Sequence, residues 1–274
     1  MFVDKNIIIN NNMKLEIIVG GNMGRAISFG AINKGVIKAS DVNISDPSED
    51  VHKIVSEFNS EISLFKNSSE AIKDVDVIVV SVKPWLLEEV LGALGEFIDT
   101  SKQMIVSIVA GASFDQIKSY IKQDTSSLAI YRVIPNTAVS LGEGVSFVAS
   151  CNSKSENDEA IFSLFEALGK AFKVTEEEMW AMTALSSCGI AYAYKYIDAA
   201  IEGGVEMGID VDKARDIVMQ TMKGALAMLS TNGTMPQTEI DKVTTPGGIT
   251  LKGLAEMQRL GFTEAVIGGL KASK

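Results

Sequence analysis

The run Val75-Asp76-Val77-Ile78-Val79-Val80-Ser81-Val82 is apolar on both alternating faces over most of its length, so as a strand it has to be covered from above and below. Runs of this kind alternate with helix-like segments through the first part of the chain. Met13 is followed by KLEIIVGG, which ends in glycines, and then by NMGRAISFGAINKG at helical spacing. A second strand is expected at Val42 to Asp46, with a helix through His52 to Phe58. A third is expected near Ile62 to Leu64, before a short helix at Ser69 to Lys73. Further strands are expected at Met104 to Ile108 and Ser127 to Val133. Parallel strands covered on both faces by crossover helices predict an α/β Rossmann-type doubly wound parallel sheet over residues 13–175.

After Glu176-Glu177-Glu178 the strand signals stop, and helical patterns run from Met179 to Met207 and from Val211 to Leu229. In the second, Ala214, Ile217, Val218, Thr221, Met222, Ala225 and Leu229 mark one face, while Met219, Leu226 and Met228 lie off it. Helices apolar nearly all round, in a segment of only about 100 residues, call for a neighbour. Either the same region of a second subunit supplies it, making residues 176–274 an all-α dimerisation domain, or the helices pack against the first domain. Residues 1–12, rich in Asn, read as a disordered extension, with a start at Met13 as the alternative.

Composition narrows the function classes. A net charge of −10 lacks the clustered Lys and Arg that phosphate neutralisation needs, which argues against nucleic acid. No apolar run reaches the roughly 18 residues of a membrane span, and MFVDKNIIINNN lacks the pattern of a signal peptide, so no membrane partner and a cytoplasmic location are expected. Two cysteines, Cys151 and Cys188, and one histidine, His52, make neither a disulfide framework nor a metal site, so no metal is expected.

Two glycine segments carry the chemistry. Val19-Gly20-Gly21-Asn22-Met23-Gly24 is close to the dinucleotide fingerprint G-x-G-x-x-G, with Val19 in the place of its first glycine. Gly21 would let a pyrophosphate approach, Gly24 would let the helix pack on the strand, and Gly20 is expected to supply the tight turn one position late. Asp46, at the end of the second strand, is either the acid that contacts the adenosine ribose or a turn residue before Pro47. Near the C-terminus, just after an acid-rich turn, comes Thr245-Pro246-Gly247-Gly248-Ile249-Thr250. Its paired glycines expose backbone N–H groups, and Thr250 would head a helix continuing from Leu251, a plausible cradle for a carboxylate. The other reading is a tight turn with a threonine cap.

Several motifs together resemble the pyrroline-5-carboxylate reductase family. They are Gly21-Asn22-Met23, Val82-Lys83-Pro84, Ser107-Ile108 with Ala110-Gly111, Arg132 with Pro135-Asn136-Thr137, Gly142-Glu143-Gly144, Leu185-Ser186, Ala191-Tyr192, Gln220-Thr221 with Gly224, Val243, Pro246-Gly247-Gly248 and Thr250. The resemblance covers nearly everything from Met13 to Lys271. It implies an NADPH- or NADH-dependent reductase that converts the small cyclic imino acid 1-pyrroline-5-carboxylate to L-proline, the last step of proline biosynthesis, and a homodimer that is often the building block of a larger ring. Position by position, it implies that Gly20 to Gly24 cradle the pyrophosphate and that Val82, Lys83, Pro84 and Ala110 line the cofactor crevice. Asn136 would face the nicotinamide region, Thr245, Gly247, Gly248 and Ile249 would hold the substrate carboxylate, and the Thr250 hydroxyl would meet the ring nitrogen as the catalytic group.

The chain departs from the family pattern at Val19, at Ser187, Cys188 and Ile190 where a helix begins, at Lys195, at Gly233 and Met235, and at Ile249. These changes leave two alternatives standing, a reductase of a different cyclic imino acid and a non-catalytic nucleotide-binding regulatory homologue. Lys195 also resembles the helical catalytic lysine of 3-hydroxyacid dehydrogenases, which are built on a similar cofactor domain plus helices. Their Asn three positions later is Asp198 here, which favours a structural lysine paired with Glu202 or a partner's acid. Cys188 reads as a small buried residue rather than a nucleophile.

Overall fold

A computed structural model describes residues 13–273, so the extension expected at residues 1–12 lies outside the described residues. The first elements are β1 (Leu15–Ile18), α1 (Asn22–Asn33), β2 (Val42–Ser45), α2 (Glu49–Phe58), β3 (Ser63–Phe65), α3 (Ser68–Ala71) and β4 (Val77–Val80). They are followed by α4 (Leu87–Leu94), β5 (Met104–Ser107), α5 (Phe114–Ile121) and β6 (Ala129–Pro135), then β7 (Gly144–Cys151), α6 (Ser155–Ala167), β8 (Gly169–Lys173) and α7 (Met179–Thr183). The strands form one eight-stranded sheet in the order β3-β2-β1-β4-β5-β6-β7-β8. Reversal of the strand order beside β1 creates a switch point between β1 and β4, where an open α/β sheet leaves a crevice beyond its carboxyl ends.

Both faces of the sheet are buried, as the double-sided strands require. On one, Leu15, Ile17, Val77 and Val79 pack with Ile27 of α1 and with Ile161, Leu164 and Phe165 of α6. On the other, Ile18, Ile78, Val80, Ile105 and Ile130 meet Leu87 and Leu91 of α4 and Ile117 and Ile121 of α5. The sheet goes beyond the expected strands. β7 pairs antiparallel with β6, and β8 parallel with β7, after the last strand expected from sequence. Their sequences, GVSFVASC and GKAFK, mix small polar with apolar residues and lack the long apolar run that marks a central strand.

The chain divides into two compact units, the first ending at Ser187 and the second beginning at Cys188. Composition changes earlier, near residue 175, but Met179 of α7 is 2% exposed and packs with Ile134, Phe147 and Ala149, which ties this helix to the sheet. The second unit contains α8 (Gly189–Glu206), α9 (Val211–Asn232), α10 (Pro236–Val243), α11 (Ile249–Arg259) and α12 (Phe262–Ala272). Here α10 stands where an acid-rich turn was expected; Pro236 opens it at a position whose missing N–H costs nothing. α8 and α9 approach closely, since a Cβ on Gly204 would lie 3.2 Å from the Ala214 Cβ.

Candidate functional site

β1 ends at Ile18, and the chain turns at once. Val19 takes φ 68°, the left-handed conformation that the first glycine of the fingerprint would adopt. Gly20 has a negative φ, so the expectation that it makes the turn is corrected: Val19 itself bends the chain. Gly20 is required for packing instead, because a Cβ there would lie 2.8 Å from Val51 Cγ1 and 2.9 Å from Ile44 Cγ2. Gly24 is just as confined, with Ile17 Cγ2 and the Val19 carbonyl oxygen both at 2.7 Å, so α1 packs directly on β1. Gly21 differs. A Cβ there would meet only Val19 Cγ1, at 4.0 Å. As the N-cap of α1, Gly21 has no side chain to cover the first helical amides, including those of Asn22 and Met23. The space over the turn is open and its donors face an anion-binding position, so these residues fit a dinucleotide pyrophosphate. Arg25 braces the turn, donating from Nη1 to the Gly20 carbonyl at 2.6 Å and from Nη2 to Asn22 Oδ1 at 3.0 Å.

The other nucleotide-site candidates gather at the same edge of the sheet. Asp46 follows β2, Val82-Lys83-Pro84 follow β4, and Ala110 follows β5. Asp46 is 5% exposed, and its Oδ1 accepts the Ser48 N–H at 2.8 Å. Lys83 and Pro84 are exposed, whereas the Val82 side chain packs into the core, leaving its backbone to face the crevice. Asn136, 8% exposed, is already engaged: Oδ1 accepts from Ala138 N–H at 3.2 Å and Val145 N–H at 3.3 Å, while Nδ2 donates to Ser186 Oγ at 3.2 Å. One Nδ2 hydrogen is left for a ligand. Ser186 and Ser187 belong to a wide helical turn, Ala184–Cys188, that links α7 to α8; Ser187 Oγ donates to the Pro135 carbonyl at 3.2 Å. The helix entry that departs from the family pattern is thus this widened turn.

In the second unit, Gly248 N–H donates to the Thr245 carbonyl at 2.8 Å, and Gly247 has φ 76°, so Thr245 to Gly248 form a tight turn that needs glycine. A Cβ on Gly248 would lie 2.7 Å from Thr245 Oγ1. α11 starts at Ile249 with Gly248 as its N-cap and no side-chain cap, so the threonine-cap reading is corrected. Thr250, in the first turn of α11, is exposed and its hydroxyl engages no other group among the described residues. Ile249 is 85% exposed, leaving its amide as its main resource. Gly233 closes α9 as a left-handed cap at φ 61°, and beyond it Glu239 of α10 accepts from Asn232 at 3.1 Å, from Lys242 at 2.8 Å and from Thr234. Hydrogen bonds from Lys242, Thr234 and Asn232 hold the Glu239 carboxyl down to about 2.

Lys195 pairs with Asp198 at 3.0 Å rather than with Glu202, and that hydrogen bond raises its pKa. Cys188 is half-buried. Two features were not singled out from sequence. Glu16, the one acid inside the apolar run of β1, is fully buried. Glu176 fixes Arg132, accepting from its Nη1 at 2.6 Å and from the Phe114 N–H at 2.7 Å. The acid within KLEIIV was the visible signal for Glu16; nothing in Glu176-Glu177-Glu178 distinguishes the member that reaches Arg132.

The chain is similar to known proteins. A family model described as pyrroline-5-carboxylate reductase dimerisation matches residues 176–274, and one described as NADP oxidoreductase, coenzyme F420-dependent, matches residues 14–111. The chain is 32% identical over 269 residues to pyrroline-5-carboxylate reductase of Glycine max, covering 95% of this chain and 94% of that protein. It is 31% identical to pyrroline-5-carboxylate reductase 1 of Dictyostelium discoideum over 92% of this chain and 47% of that protein, so it spans about half the length of that relative. The crystal structure of Plasmodium falciparum pyrroline carboxylate reductase with NADP bound is similar with a TM-score of 0.86, at 28% identity over 96% of each chain.

Proposed function

Because this chain belongs to the pyrroline-5-carboxylate reductase family, we propose that it reduces the cyclic imine 1-pyrroline-5-carboxylate to L-proline, the last step of proline biosynthesis, with NADPH or NADH. The observation that supports this most is the open turn at Gly21 on the β1/β4 switch point, where a bound dinucleotide would supply the hydride. The amides of Gly21, Asn22 and Met23 hold the pyrophosphate, and Gly20 and Gly24 keep the surrounding elements close enough to shape the cradle. Asp46 lies beside the adenosine ribose, while Val82, Lys83, Pro84 and Ala110 border the crevice and Asn136 stiffens its floor near the nicotinamide.

The substrate needs little acid–base machinery. A protonated imine already accepts hydride readily, so the protein mainly holds an anion and orients two carbons. The backbone amides of Gly247, Gly248 and Ile249, with the Thr245 hydroxyl, bind the carboxylate at the uncapped start of α11. The Thr250 oxygen accepts the iminium N–H, and its O–H then donates to the lone pair of the product amine. An unperturbed hydroxyl is too weak an acid to protonate the ring, so that proton arrives with the substrate or through water.

The protein works as a homo-oligomer, in its finer form a homodimer built into a larger ring. Ala214 is the only buried hydrophobic residue of the second unit among the described residues, whereas Tyr194, Ile217, Leu226 and Leu260 are 61%, 48%, 61% and 70% exposed. So much apolar surface with so little core calls for a partner copy. The remaining parts of the proposal are a dinucleotide-binding region at residues 13–175, a helical dimerisation and substrate-binding region at 176–274, a cytoplasmic location, and no nucleic-acid or membrane partner. No helix among the described residues is long and apolar enough to cross a membrane.

Oxidation of NADPH and NADH by the purified protein, with and without 1-pyrroline-5-carboxylate, tests the reading. Imine-dependent oxidation is expected. Oxidation with another cyclic imino acid only would make that compound the substrate, and dinucleotide binding without turnover would make the protein a regulator. Light scattering that shows a monomer at micromolar concentration would refute the oligomer.

A further inference from the structure

Which of the two dinucleotides the crevice prefers is decided at the ribose end, where NADPH carries a phosphate and NADH a hydroxyl. Asp46 stands there and is held in place through three of its groups. Its N–H donates to the Phe65 carbonyl at 3.0 Å, its carbonyl meets His52 Nε2 at 2.8 Å, and Oδ1 accepts the Ser48 N–H at 2.8 Å. The second oxygen, Oδ2, lies 3.9 Å from the point a Cβ on Gly20 would occupy, and so faces the glycine turn. At 5% exposure and with these contacts, Asp46 is fixed at the end of β2.

The residues that follow Asp46 at the start of α2 are acidic. Glu49 and Asp50 occupy the first turn of α2 immediately beyond Asp46. The cations on these elements contact other groups. Lys66 pairs with Glu49, Lys53 lies 4.0 Å from Glu57, and Arg25 donates to the Gly20 carbonyl and to Asn22. A ribose diol offers two O–H donors, which a carboxylate accepts. A 2′-phosphate offers only acceptors and close to two negative charges, which the Asp46 carboxylate cannot hydrogen-bond and repels.

We infer that this chain selects NADH over NADPH through the fixed Asp46 carboxylate and the acidic first turn of α2. The inference rests on the reductase reading above, because it presumes that a dinucleotide lies on the glycine turn. Asp46 accepts the ribose hydroxyls of NADH through Oδ2, while its own charge, with Asp50 in the first turn of α2, repels the extra phosphate of NADPH.

Calorimetric titration of the full-length protein with NADH and with NADPH, without imine, tests it by binding alone. NADH is expected to bind at least about tenfold more tightly. Asp46→Asn keeps the Oδ1 acceptor for Ser48 but removes the charge, and should narrow the NADH-to-NADPH ratio by about fivefold or more. Glu49→Lys adds a cation on the exposed start of α2 without disturbing the buried strand end, and should tighten NADPH while leaving NADH within about twofold. Equal or tighter binding of NADPH by the unaltered protein overturns the inference and leaves the reductase reading intact. Unchanged ratios in both folded variants overturn it as well. If neither dinucleotide binds, the reductase reading itself fails and the inference with it.

Discussion

Replacing Glu16 by Gln should flatten the pH dependence of stability between pH 5 and pH 8. Glu16 lies in the middle of β1, paired across the sheet with Asn43 of β2 and Ile78 of β4, and is 0% exposed. Neither carboxylate oxygen has a hydrogen-bond partner of normal geometry among the described residues. Asn43 Nδ2 is committed to the Ala71 carbonyl at 2.8 Å, which leaves Ser45, its Oγ 2.6 Å from Ser68 Oγ, as the polar neighbour of the carboxyl. Burial pushes the Glu16 carboxyl from its ordinary 4.5 up to about 8, with the nearness of Ser45 opposing part of that rise. Between those two values the unfolded chain has lost the proton and the folded chain keeps it. Each step up in pH therefore favours unfolding, by about 1.4 kcal/mol per pH unit. From pH 5 to pH 8 the loss amounts to about 4 kcal/mol, and it levels off once the folded form has ionised. Gln keeps the shape without the titration, so the difference in stability between Glu16→Gln and the unaltered chain should move in favour of the variant by that amount. A constant offset for its buried amide, about 1–3 kcal/mol, cancels in the comparison. Urea unfolding of both proteins at pH 5, 6, 7 and 8, at one fixed protein concentration, gives the four differences. A difference that stays constant across the range would refute the claim that this carboxyl remains protonated at neutral pH.

The two glycines on either side of Asn22 and Met23 should fail in different ways. Gly21→Val should weaken dinucleotide binding by at least about 1.4 kcal/mol, tenfold, with the melting temperature nearly unchanged; Gly24→Ala, pressed at 2.7 Å against Ile17 and the Val19 carbonyl, should destabilise the fold by about 1–3 kcal/mol. Calorimetry and thermal melts on both variants check this, and matching behaviour would show that the turn has been misread. Thr250→Val should lower kcat and kcat/KM alike by about 10- to 150-fold, roughly 1.5–3 kcal/mol, while Thr245→Val acts mainly on KM. Unaltered constants for Thr250→Val in steady-state kinetics would remove that hydroxyl from the mechanism. Glu176→Ala strands the guanidinium of Arg132, whose side chain is 9% exposed, and should cost about 3 kcal/mol in urea unfolding; a loss below about 1 kcal/mol would mean that Arg132 finds another partner.

Much of this was legible in the sequence because the physics is local. Apolar runs at β1, β4 and β5 and the glycine spacing around Gly24 announced the doubly wound sheet, and the helix expected from Leu251 begins two residues earlier, at Ile249. The β7 and β8 strands were not legible. Their stability comes from pairing with a sheet already in place, and residues such as Ser146 and Ala149 gain nothing from a strand conformation until that edge exists. Likewise Glu176 acquires its role only when α7 packs Met179 beside Phe147 and brings the preceding acid to Arg132.

Val19 shows what a fingerprint encodes and what it leaves out. The pattern asks for glycine at that position because the chain must turn through positive φ, yet here a β-branched residue makes the turn at φ 68°, at a cost of about 1–2 kcal/mol. The surroundings hold it there. Val19 N–H donates to the Ser45 carbonyl at 2.8 Å, and its side chain packs at the edge of the core formed by Ile18 and Val80. By contrast, Gly20 and Gly24 are fixed by neighbours less than 3 Å from any added Cβ, and no packing elsewhere relieves those contacts. A missing glycine is therefore informative only once the reason for it is known. Where the requirement is torsional, tertiary contacts can offset it; where it is spatial, they create it. The departure at Val19 thus leaves the cradle over Gly21 open, and on this ground it counts against neither dinucleotide binding nor a catalytic role for the chain.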